Sequence, residues 1–172
     1  MKKYELVNYN EKTRFYQIKA LASFSDVNIG DLGGFVKSEN NLSHDGHCWI
    51  YGAAVVSGDA TVTGNAWISG NAKVTGNAIV CGNVEVDGNA RISNDARIDG
   101  RRKIIMVSGF GSIGRTTTFF LNKDGKVMVN CGCFNGTLDE FEEKVKETYF
   151  NNKLGEEYLA ISKVVSYHFS SL

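Results

Sequence analysis

From Ile50 to Ile98 a branched aliphatic residue returns at every sixth position: Ile50, Val56, Val62, Ile68, Val74, Val80, Val86, Ile92 and Ile98. Glycine stands two places after each, except at Asn94, and alanine four places after each from Ile50 to Ile92, except at Val84. A sustained six-residue period is the signature of a β-helix. Side chains alternate across a strand, so Ala60 and Val62 face one way and Thr61 the other. The Gly-Asn or Gly-Asp pair that follows supplies a corner, because both residue types tolerate positive φ. Each six is therefore one short strand and one turn, with β-branched residues filling the interior and small alanines the crowded corners.

The remaining composition narrows the function classes. The chain has 172 residues, enough for one or two small domains, and 42% of them are hydrophobic. Nineteen acidic and nineteen basic residues cancel, so no global field draws in nucleic acid or an anionic membrane. Nineteen glycines and no proline suit a turn-rich repeat. No apolar run approaches the roughly 20 residues of a membrane span, and the start, Met-Lys-Lys-Tyr-Glu, lacks the apolar region of a signal peptide. A cytoplasmic protein is expected, with Cys48, Cys81, Cys131 and Cys133 as reduced thiols.

Three segments follow. Residues 1–28 read as a β-hairpin or cap, with a polar turn from Asn8 to Thr13. Residues 29–100 carry the repeat. The six-residue phase extends back from Ile50, placing Gly46, Gly34 and Leu32 in register, although Ser38 and His44 then fall on aliphatic positions. Residues 101–172 read as a small α+β domain of order β-β-β-α-α. Its strands are Ile104 to Val107, Arg115 to Leu121 and Lys126 to Phe134. Thr137-Leu-Asp-Glu140 is a capping box opening a helix with Leu138, Phe141, Val145 and Thr148 on one face. A second helix runs from about Glu156 to Phe169, with Tyr158, Leu159, Ser162, Val165 and Phe169 inward.

The repeats, with Gly30-Asp-Leu-Gly-Gly-Phe-Val and Asn41-Leu-Ser-His-Asp-Gly-His-Cys-Trp-Ile, resemble hexapeptide-type proteins of phages and prophages. Thr117-Thr-Phe and Cys131-Gly-Cys-Phe-Asn-Gly-Thr-Leu resemble a domain attached to such repeats. The resemblance implies a mainly β fold: a short left-handed parallel β-helix, three sixes per coil, with an N-terminal β-hairpin and a C-terminal α+β domain. It also implies a homo-oligomer, a trimer before other states, in the cytoplasm of a bacterial host cell.

Eighteen residues per coil defines three outward faces. One stacks Trp49, Trp67, Glu85 and Lys103, with Tyr51 alongside. Trp49, Tyr51 and Trp67 would form an exposed aromatic patch, a mark of an interface, unless another part of the chain covers it. Gly109-Phe-Gly-Ser-Ile-Gly114 matches a dinucleotide fingerprint in letters only, because Arg115-Thr-Thr-Thr-Phe-Phe is strand composition where a helix is required. What survives is an anion-binding nest of Gly111, Ser112, Arg115 and Thr116; the plainer reading is a connecting loop. Cys131 and Cys133 are too few for structural zinc and read as inert thiols.

Two functions fit. The first is a non-enzymatic oligomeric binding protein without cofactor. In the phage-type setting this would be a counter-defence inhibitor that holds a host protein or sequesters a phosphorylated small molecule. The second is a CoA-dependent acyltransferase of the hexapeptide class, in which a histidine acts as base. The candidates are His44, His47 and His168, and neither His44 nor His47 is followed by the long loop such enzymes use to enclose substrate.

Overall fold

The computed structural model describes residues 2–111, 113–150 and 152–172. Nine two-residue strands build a β-helix: β4 (Trp49–Ile50), β5 (Val55–Val56), β6 (Thr61–Val62), β7 (Trp67–Ile68), β8 (Lys73–Val74), β9 (Ile79–Val80), β10 (Glu85–Val86), β11 (Arg91–Ile92) and β12 (Arg97–Ile98). Each pairs in parallel with the strand three sixes on, giving the stacks β4-β7-β10, β5-β8-β11 and β6-β9-β12. The aliphatic residue opening every six, from Ile50 to Ile98, is fully buried. The corners need left-handed backbone, with φ of +65° at Gly70 and +59° at Asn94, which replaces glycine there. Room is short as well: a Cβ on Gly70 would stand 2.8 Å from the Gly88 carbonyl oxygen. Polar residues that follow the corner glycines form ladders outside, Asn65 donating to Asn83 at 3.0 Å and Asn77 to Asp95 at 2.9 Å.

At the N-terminal end β1 (Tyr4–Asn10) and β2 (Phe15–Ala20) form the expected antiparallel hairpin. β3 (Leu32–Val36) joins β2 antiparallel and β5 in parallel, so the hairpin extends one wall of the coil. The first coil departs from the expected phase. Val36 pairs with Val56 and Leu42 with Val62, twenty residues on, whereas Ile50 pairs with Ile68, eighteen on. Leu32, placed inward by the extended phase, is exposed. Two extra residues sit in the corner before Trp49, and buried groups compensate for them. Lys3 Nζ donates to the Gly46 and Cys48 carbonyls at 3.2 and 2.9 Å. Asn41 accepts from Lys37 and Ser38 amides and donates to the Gly58 and Ala60 carbonyls.

At the other end β13 (Ile104–Phe110), β14 (Arg115–Leu121), β15 (Val127–Cys131) and β16 (Phe134–Thr137) form an antiparallel sheet in that order. The expected third strand is thus two strands, folded back at Gly132, whose φ is +63°. The helices are α1 (Leu138–Thr148) and α2 (Lys153–Phe169). α2 starts three residues before the expected Glu156, because the Asn152 side chain caps it by accepting from the Leu154 and Gly155 amides. The sheet has two buried faces. Phe120 joins the core of the coil, while Phe119, one residue earlier, packs with Phe141, Tyr158 and Val165 of the helices. The last coil would leave strand groups unpaired at its open end; Thr118 Oγ1 accepts from the Arg91 amide at 3.1 Å, and Asn130 Nδ2 donates to the Arg91 carbonyl at 2.8 Å. Among the described residues no helix is long and apolar enough to cross a membrane.

Candidate functional site

Alternation along β14 turns Arg115, Thr117 and Phe119 toward the helices. Where β14, the β15–β16 turn and the two helices meet, they enclose a cavity of about 400 Å³. It is lined by Ile113 and Arg115 on the β14 side, by Cys131, Cys133 and Phe134 at the β15–β16 turn, and by Lys144, Thr148, Tyr149 and Tyr158 from the helices. The size falls within the range of small-molecule sites.

Two glycines make this closeness possible. The Arg115 guanidinium lies where a Cβ on Gly132 would be, and the Tyr158 hydroxyl lies where a Cβ on Gly111 would be. Tyr158 is buried among aromatic rings, with Phe141 edge-on at 5.7 Å and Tyr149 tilted at 5.8 Å. Burial, reinforced by the Cys131 thiol, pushes its hydroxyl up to about 12. Thr117 Oγ1 donates to Cys131 Sγ at 3.1 Å, whereas Cys133 is exposed. Lys144 is shared with Glu147 at 3.1 Å, while no described carboxylate forms an ion pair with Arg115. The arrangement offers one unneutralised planar cation at the mouth of an aromatic cavity, a geometry suited to an oxyanion. Among the described residues no group of three metal-ligating side chains occurs.

The expected nest is only partly assembled. Gly111 and Arg115 are at the cavity, and Ser112 lies outside the described residues. Thr116 points to the opposite face of the sheet, its hydroxyl 2.8 Å from that of Ser108. Cys131 and Cys133 do not sit two apart on one strand; a tight turn separates them, yet both line the cavity. Lys144, Tyr149 and Tyr158 were missed because helix packing alone brings them there. The only local signal was the stripe Phe141, Val145 and Thr148, which Lys144 borders.

The aromatic patch is not exposed as a unit. Trp49 is 1% exposed, because Tyr4 and Phe24 of the N-terminal segment meet it edge-on at 6.2 and 5.5 Å. Tyr51 is half-buried and donates to Asp26 at 2.6 Å; burial, then Asp26, raises its pKa. Trp67, also half-buried, lies in an open polar groove of about 750 Å³ with His47, Asn65, Asn83, Glu85 and Arg101. His44 is structural: it stacks on Tyr4 at 4.3 Å, with Nε2 2.9 Å from Glu39 and Nδ1 accepting from the Lys3 amide. His168 is half-buried, its Nε2 2.8 Å from the Arg102 carbonyl oxygen.

Residues 66–82 match the model of the YdcK beta solenoid repeat. The repeat region is a β-solenoid. A curated relative, the uncharacterized acetyltransferase YdcK of Escherichia coli strain K12, is 42% identical over 50 residues. That stretch is 25% of this chain and 15% of the relative, so the chain spans a small part of the length of the protein it matches. The matched repeat includes Trp67 and Gly82 of the open groove and none of the residues around Arg115.

Proposed function

We propose that the protein is a non-enzymatic binding protein that takes up a phosphorylated small molecule in the cavity around Arg115. The observation that carries this reading is the Arg115 guanidinium, seated on Gly132 at the cavity mouth without a described acidic partner. A rigidly backed guanidinium presents two parallel donors to phosphate oxygens. The phage-type resemblance would make such uptake a counter-defence device that sequesters a host signal. Assembly into a homo-oligomer, a trimer first, belongs to the same reading. It is supported by an apolar groove between the edge strand β13 and α2, where Val164 is 69% exposed. The test is a thermal-shift screen of phosphorylated metabolites, because a ligand that binds only the folded state raises its stability. Hits should lose their shift in a folded Arg115→Gln variant; a shift retained in that variant removes Arg115 from the site.

A second reading, a CoA-dependent acyltransferase, is favoured by the resemblance of the repeat to that of a protein called an acetyltransferase. Its place would be the groove containing His47 and Trp67. His47 is exposed, and its amide donates to Asn65 Oδ1. Release of free CoA from acetyl-CoA in the presence of amine acceptors, lost in His47→Ala, would establish this reading over the first.

A further inference from the structure

Resting on the anion-binding reading, we infer that the ligand of the Arg115 cavity is a planar aromatic compound bearing a single oxyanion, carboxylate or phosphate, and not a hydroxyl-rich sugar phosphate or a polyphosphate.

Charge limits the anionic part. Arg115 is one cation, and Lys144, the other on the rim, is already shared with Glu147 at 3.1 Å. The mouth therefore matches one oxyanion group. A chain of phosphates would need more cations than the rim supplies.

The polar inventory limits the body. The lining of the cavity is mostly apolar. Cys131 Sγ already accepts from Thr117, and the Tyr158 hydroxyl lies against the bare face of Gly111. A sugar would bury several hydroxyls without partners, which costs free energy for each. The walls instead offer rings. Phe134 and Phe141 lie 5.4 Å apart, and Tyr149 is half-buried, tilted 35° from Tyr158. Such rings prefer an offset-stacked or edge-on aromatic partner. Arg115 then fixes the oxyanion at the mouth while Tyr149 and Phe134 hold the ring, so both parts of the ligand are read at once.

Five probes separate the parts by calorimetry: phenyl phosphate and phenylacetate, which have ring and oxyanion; inorganic phosphate; phenol; and glucose 6-phosphate. We expect one of the first two to bind at least about tenfold tighter than the other three, a difference well within calorimetric resolution. Phenyl phosphate as the tighter of the two agrees with the phosphorylated ligand proposed above; phenylacetate as the tighter makes the oxyanion a carboxylate and overturns the phosphate part of that reading while the aromatic-oxyanion inference stands. That ligand should slow alkylation of the exposed Cys133, and Arg115→Gln should abolish its advantage over phenol. Tyr149→Leu should abolish its advantage over inorganic phosphate; Phe134→Leu serves as a second variant if the first melts early. Equal affinity for glucose 6-phosphate, inorganic phosphate and phenyl phosphate overturns the inference and leaves anion binding standing. Phenol binding as tightly as the conjugates also overturns it. If no probe binds and the metabolite screen is empty, both readings fall together.

Discussion

The guanidinium of Arg115 covers the face of Gly132 on which any other residue would carry its Cβ. Gly132 is also held at a φ of +63°. Gly132→Ala therefore meets two obstacles, a strained backbone worth about 1–2 kcal/mol and expulsion of the guanidinium from its seat. We expect a lower melting temperature and weaker binding of the cavity ligand. Arg115→Gln with Gly132→Ala should melt close to Arg115→Gln alone only if the clash is the dominant cost. A Gly132→Ala variant with wild-type melting and binding would show that Arg115 is not seated there.

The solenoid register places Val74 at 0% exposure, between Val56 and Ile92 in the same stack. Val74→Asp buries a carboxylate with no partner and should cost several kcal/mol. Lys73, one residue away, faces solvent, and Lys73→Asp should shift stability by less than about 1 kcal/mol. Chemical denaturation of the two variants checks the inward and outward assignment directly.

The junction between the solenoid and the C-terminal sheet rests on side chains that stand in for a missing coil. Asn130 donates to the Arg91 carbonyl and Thr118 accepts from its amide. Asn130→Leu should destabilise by about 1–3 kcal/mol, the cost of leaving buried polar groups unpaired. Lys123→Ala removes an exposed pair with Asp95 at the same junction and should change little. Equal effects from the two variants would mean that the carbonyl of Arg91 finds water instead.

Alkali should weaken the fold before it damages the chain. Burial raises the hydroxyls of Tyr4 and Tyr51 well above the ordinary 10.0, and that of Tyr158 to about 12. In the unfolded chain these groups ionise near 10, whereas the folded chain holds their protons to higher pH. Their contribution is fully present below about pH 10 and declines as pH rises through 10 to 12. Tyr4→Phe should flatten that decline while costing about 1 kcal/mol at neutral pH, because the Tyr4 hydroxyl donates to the Leu42 carbonyl at 2.7 Å. On the acid side the signs reverse. Lys2 and then His44 hold Glu39 below its ordinary pKa, and Lys103 does the same for Asp99. Their small, solvent-screened contribution is present above the usual carboxylate range and lost as pH falls through the depressed values.

The parts of this fold legible in sequence are those with local causes. Strand, corner and interior repeat within six residues, so Ile50 to Ile98 could be placed without knowing anything distant. The first coil could not, because its two extra residues are accommodated by Lys3, which comes from the N-terminal segment, and by the buried Asn41, whose partners Gly58 and Ala60 lie in the next coil. The turn at Gly132 was hidden because Val127 to Phe134 is strand-like throughout, and a glycine between two cysteines does not by itself announce a reversal. Trp49 has the outward phase that the repeat assigns; which segment covers it was not legible, because Tyr4 and Phe24 reach it from outside the repeat. The same division runs through the site. Gly111 and Arg115 stand in a glycine-rich turn visible to the eye, whereas Tyr149, Tyr158 and Lys144 reach it only through the packing of α1 and α2. Gly155 permits that packing, since a Cβ there would stand 2.8 Å from the Tyr149 carbonyl oxygen.

The central claim is that ligand uptake occurs around Arg115 and not on the solenoid wall. Crystals grown with the tightest-binding small molecule, and separately with acetyl-CoA, test it most directly. Density for an oxyanion on Arg115 with a body against Tyr149, and none for acetyl-CoA beside His47 and Trp67, is the predicted result. Ordered acetyl-CoA in the His47 groove, with the Arg115 cavity empty in both crystals, would contradict it.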